Sequence, residues 1–129
     1  MDVELFALKV GWSGMLMGVL SGAVIGLLFH RKNWLGGYAA HARRFVRLGH
    51  ISFFGIGLIN LFYGLSVGPM AIPADAAMRG AWLLLGALVT MPICCFLTAW
   101  NVSARHLFPI PVLCAAGGIL TILLKGVCA

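Results

Sequence analysis

Four long runs of uncharged apolar residues, at about 10–29, 48–68, 81–100 and 107–124, divide the chain, and nearly all charged residues lie between or outside them. Each run is close to the roughly 20 residues a helix needs to cross hydrocarbon at about 1.5 Å per residue. A membrane barrel would show strands of about ten residues with alternating polar and apolar positions. These runs are apolar all round and space their small residues by helical turns, so the pattern predicts transmembrane helices. Nothing between the runs is long enough to form a separate domain, and the halves show no convincing duplication. The expected fold is an all-α integral membrane protein, a single domain over residues 1–129, with four transmembrane helices in a compact up-down bundle.

Composition removes the soluble alternatives. Of 129 residues, 62% are hydrophobic and 9% charged, with a mean hydropathy of +1.05, far from the roughly one-quarter charged content of soluble domains. Disorder is excluded too, because disordered segments are poor in aliphatic residues and rich in charge. The net charge of +6 reads as a topology signal rather than a nucleic-acid footprint, since the basic residues lie at the ends of the runs. Arg31, Lys32, Arg43, Arg44 and Arg47 precede or open the second run, and Arg105 lies between the third and fourth. Lys9, Arg79 and Lys125 lie on the other side, diluted by Asp2, Glu4 and Asp75. The positive-inside rule therefore predicts both termini on the non-cytoplasmic side, in a multi-pass protein of the bacterial inner membrane. The first run lacks the basic N-terminal flank of a signal peptide and is expected to remain in the mature protein. Trp34, Tyr38, Trp82 and Trp100 lie near predicted span ends, where amphipathic rings prefer to sit.

Within the runs, packing features predominate. Gly14, Gly18, Gly22 and Gly26 repeat every fourth residue, with Gly11 just before them, which makes a flat face for close approach of another helix. The preferred partner is a helix of the same chain; a neighbouring subunit or a flat cofactor tail is the alternative. In the second run Arg43, Arg47, His50, Phe54, Gly57, Leu61 and Gly64 form one helical stripe if the helix starts before the membrane. Asn60 on the opposite shoulder is the deepest amide and is expected to make an interhelical hydrogen bond. In the third run Thr90, Cys94, Thr98 and Asn101 share a face. Pro92 beside them frees the carbonyl of Leu88, which a hydroxyl such as that of Thr90 is expected to recapture. Pro109 and Pro111 suit a helix start, and Cys114 with Gly118 forms a second small-residue contact surface.

Candidate chemistry is sparse. Cys94, Cys95 and Cys114 lie within apolar runs, and Cys128 approaches the outer face without a partner, so neither a disulfide scaffold nor a metal site is expected. No carboxylate lies inside a run to relay protons, and no hydrolase, phosphate-loop or metalloprotease pattern occurs, so no catalytic residue is named. His30, His41, His50 and His106 all fall on the arginine-rich side. His50 and His106 are the candidate axial ligands for haem b, with Arg43, Arg47 or Arg105 near its propionates. Neither histidine lies well inside the predicted spans, so the preferred reading has no bound cofactor and places them among lipid head groups. The same arginines are the candidate seat of an anionic lipid head. The leading functional expectation is a non-catalytic membrane subunit or assembly factor of a larger complex, for example one of respiratory or photosynthetic electron transfer. Its partners would be membrane lipids and other membrane subunits or further copies of itself. A haem- or quinone-binding electron carrier and a small uncoupled channel or carrier are the alternatives.

Overall fold

The computed structural model describes residues 2–127; Cys128 lies outside them. Four helices account for most of the chain: α1 (Val3–Phe29), α2 (His41–Val67), α3 (Ala74–Trp100) and α4 (Pro109–Ile122), the last continued by a π-helical turn, Leu123–Val127. No strand occurs among the described residues. Four helical segments, the last counted with its flanking turns as Val102–Gly126, are long and apolar enough to cross a membrane.

The first three helices are each 27 residues long and begin seven residues before the apolar runs do. An apolar run marks the part of a helix compatible with hydrocarbon, whereas the helix itself extends through polar residues such as Glu4, Arg43 and Asp75. Asp2 caps α1, its carboxylate accepting from the backbone N–H of Glu4 at 3.0 Å and of Leu5 at 3.4 Å, which satisfies donors the first turn cannot pair internally. Pro92 sits inside α3 without ending it. The hydroxyl of Thr90 donates to Gly86 O at 2.7 Å, two residues before the Leu88 carbonyl it was expected to recapture. A side chain at position 90 reaches back to its own i−4 carbonyl more readily than forward to one beside the proline ring.

Consecutive helices run antiparallel and pack side by side, with a smaller contact of α1 on α3 and of α2 on α4. α1 and α4 do not pack along each other, so the arrangement is more open than the compact bundle expected. Both flanking helices are too apolar around their circumference for hydropathy alone to indicate which faces pair. The interior forms two apolar layers. One joins Ala7, Tyr63, Val67, Ala77, Ala81 and Leu84 towards the α1 N-terminus; the other joins Val10, Ile56, Ala87 and Leu88. Alanines on α3 bring the neighbouring backbones close, as van der Waals packing between membrane helices requires.

Candidate functional site

The seam between α1 and α2 collects most of the residues singled out in the sequence. Along it, facing residues have numbers that sum to 71 or 72. A β-carbon built on Gly11 would lie 2.6 Å from Leu61, on Gly14 3.2 Å from the Cα of Gly57, on Gly18 2.7 Å from the Phe54 ring, and on Gly22 2.6 Å from His50. The partner of the glycine face is thus α2 of the same chain, and the α2 stripe with Gly57 and Gly64 is what meets it. Gly26 is a correction, because no atom lies within 4 Å of its β-carbon position. The register places Val46 opposite, and its short branched side chain does not reach across.

His50 lies at the narrow part of this seam. It is the tenth residue of α2, further from the helix end than the predicted span suggested. Its ring meets Phe54 edge-on at 5.3 Å, and its Nδ1 lies 3.0 Å from the hydroxyl oxygen of Ser21. The same hydroxyl lies 3.1 Å from Gly18 O, and Nε2 of His50 has no hydrogen-bond partner among the described residues. His106 is exposed in the 3-10 turn Val102–Leu107 that connects α3 to α4. Of the two expected haem ligands, one ring is wedged against α1 and the other stands on the connection between α3 and α4, and no contact joins the two rings among the described residues. No group of three or more His, Cys, Asp or Glu placed to hold a metal ion occurs among the described residues.

The arginines divide in the same way. Arg43, expected to receive an anionic head group, is only 3% exposed. Its Nη2 donates to Phe29 O at 2.8 Å, and its guanidinium carbon lies 4.2 Å from the centre of the Phe29 ring and 5.6 Å from those of Trp34 and Tyr38. The connection that carries the last two rings turns back through Leu35, Gly36 and Gly37, with φ of 52°, 82° and 95°. Glycine supplies the second and third of these at no steric cost. Arg43 is therefore occupied within the fold, and sequence pattern missed this because the aromatic cage comes from a loop and a helix end. Arg47 stacks on the other side of the cage, 4.5 Å from the Tyr38 ring centre, and Arg105 is exposed in the same 3-10 turn as His106.

His41, not among the expected site residues, places Nε2 3.0 Å from Thr98 O. Neither α1 nor α3 carries a basic residue in its last turn, and the first turn of α2 supplies one to each: Arg43 to α1 and His41 to α3. Both contacts satisfy carbonyls that a helix end leaves unpaired, at the negative end of its dipole.

Asn60 is fully buried. Its Nδ2 donates to Ile56 O of its own helix at 2.9 Å and to Leu84 O of α3 at 3.4 Å, while Oδ1 has no partner. The interhelical bond is thus the longer of the two. Tyr63, one turn on, donates to Ala77 O of α3 at 2.8 Å. Thr98 donates to Cys94 O, so the third-helix stripe spends its hydroxyls on its own backbone. On α4, a β-carbon on Gly118 would lie 2.5 Å from Leu84, and the sulfur of Cys114 lies 3.6 Å from the β-carbon position of Gly86. Both face α3. The chain matches no known protein family, no curated protein and no solved structure.

Proposed function

We propose that this chain is a non-catalytic integral membrane subunit or assembly factor of a larger membrane complex, for example one that carries electrons. The observation that supports it most is uneven burial. The most apolar stretch of α1 and of α4 is 11% buried within the chain, against 44% for α3. Leu27 is 75% exposed and Leu113 69%, so both flanking helices offer long apolar faces to lipid or to neighbouring subunits. The polar groups near the core bond mainly to helix backbone and offer no continuous polar path from end to end, which weighs against the channel reading. Extraction of the tagged chain from its native membrane in mild detergent, followed by native mass spectrometry, is expected to yield a stoichiometric complex with larger membrane subunits. A monomer, or copies of this chain alone, as the only species would overturn the proposal.

The arginine-rich ends of the helices are proposed to face the cytoplasm, in a bacterial inner membrane. Single cysteines placed at Tyr38 and Arg105 should then react with an impermeant reagent only after the membrane is opened; labelling of either in intact cells reverses the orientation.

One observation favours the electron-carrier reading as a second choice. His50 is the tenth residue of α2, packed against α1 at Gly22, and its Nε2 makes no hydrogen bond among the described residues, which leaves one ring nitrogen to bind a ligand. A visible absorption band in the purified complex that is lost in His50→Ala would select this reading.

A further inference from the structure

At the end of the molecule opposite the arginine cluster, α3 and α4 part to leave a groove of about 370 Å³. Its composition changes along its length. Arg79 and Lys125 stand at the mouth, and Leu83, Gly117, Leu120 and Leu124 form the apolar walls. From position 76 to position 83 the groove follows α3 for about 10 Å along the axis, so the cations lie at the polar end and the leucines lead inwards.

Two features hold the mouth in place. Lys125 is carried by the π-helical turn Leu123–Val127, a kind of irregularity found often at functional positions. That turn sits against the α2–α3 connection: a β-carbon on Gly126 would lie 2.8 Å from the sulfur of Met70. Arg79 is bonded to Asp75 at 2.9 Å, with both side chains 70% exposed. An exposed pair of this kind holds its partner weakly, and Lys125 has no carboxylate partner among the described residues. The mouth keeps a net positive charge of one from two cations and one carboxylate. At the inner end Leu83 packs over Gly117, where a β-carbon would lie 3.0 Å from its side chain, so these two residues form the apolar floor of the groove.

We propose that this groove is a binding site for one anionic phospholipid, its phosphate between Arg79 and Lys125 and one acyl chain along Leu83, Gly117 and Leu120. A compact anion alone would use the mouth and leave the apolar length unfilled; an uncharged lipid would fill the length and leave the cations unmatched. Only an amphiphile with an anionic head uses both. The site does not depend on the partner complex proposed above, and it is testable on the isolated chain.

The test uses the chain in mild detergent and native mass spectrometry with three probes at equal concentration: palmitoyl-oleoyl phosphatidylglycerol, phosphatidylcholine with the same chains, and dibutyroyl phosphatidylglycerol. The long-chain anionic lipid is expected to give at least fivefold more adduct than either of the others. Arg79→Gln/Lys125→Gln should lower that adduct to the phosphatidylcholine level, whereas Arg31→Gln/Arg44→Gln at the other end should leave it unchanged. All replaced side chains are exposed, and an unchanged helical circular dichroism spectrum verifies that the variants fold. Equal binding of the two long-chain lipids, equal binding of the short-chain and long-chain anionic lipids, or undiminished binding by the Arg79/Lys125 variant would each overturn the proposal.

Discussion

Gly57→Leu is expected to separate α1 from α2 and leave the chain aggregated or unfolded in detergent, a far larger effect than the same change at Gly18 or Gly26. A β-carbon at Gly57 would lie 3.1 Å from Gly11 O and 3.3 Å from the amide nitrogen of Met15, so the obstacle is backbone, which cannot rotate out of the way. Overpacking usually costs about 1–3 kcal/mol, and a site closed by backbone belongs at or beyond the upper end. Gly18→Leu should cost less, about 1–2 kcal/mol, because the atoms it meets are the far edge of the Phe54 ring, and a ring can swing. Gly26→Leu meets nothing within 4 Å and should change stability by no more than about 0.5 kcal/mol. Size-exclusion profiles and SDS-induced unfolding of the three variants give the order directly. If Gly26→Leu proves as damaging as Gly57→Leu, the seam does not run where these contacts place it.

That order illustrates how far the sequence can be read. The four-residue glycine period identifies a flat face on α1, because periodicity maps directly onto a helix surface. It does not reveal where the face ends, since that depends on which α2 side chain arrives opposite each glycine. Gly26 looks the same as Gly18 until the facing residue is known. The stripe from Arg43 to Gly64 was legible for the same reason as the glycines, and it does face α1. Its functional reading changed because Arg43 and His50 are defined by partners distant in the chain: Ser21, Phe29, Trp34 and Tyr38. Helix lengths also escaped hydropathy, which detects the lipid-compatible portion of a helix and stops at the first charges. That shift alone moved His50 from the edge of α2 to its tenth position.

The second large effect is expected at Arg43. All three acidic side chains of the chain, Asp2, Glu4 and Asp75, sit at the opposite end, so this buried guanidinium has no counter-ion among the described residues. What compensates its charge is the C-terminal end of α1, through Phe29 O at 2.8 Å, together with the faces of three aromatic rings. A hydrogen bond to a charged group is worth about 1.5–3 kcal/mol, and a cation held over an aromatic face about 0.5–2 kcal/mol. Offsetting them is the buried Nε, which has no partner, so Arg43→Gln should destabilise by about 2–4 kcal/mol rather than by the full sum. Arg43→Lys keeps the charge but loses the planar fork that bonds the carbonyl while stacking on the rings, and should recover less than half of the loss. The damage should also be local, because the guanidinium ties the loop at residues 30–40 to the end of α1. Trypsin should cut after Lys32 faster in Arg43→Gln than in the parent, whereas Arg44→Gln, at an exposed neighbouring position, should leave both cleavage and unfolding unchanged. Full rescue by lysine would mean that charge alone, and not the stacked geometry, holds this end of the molecule together.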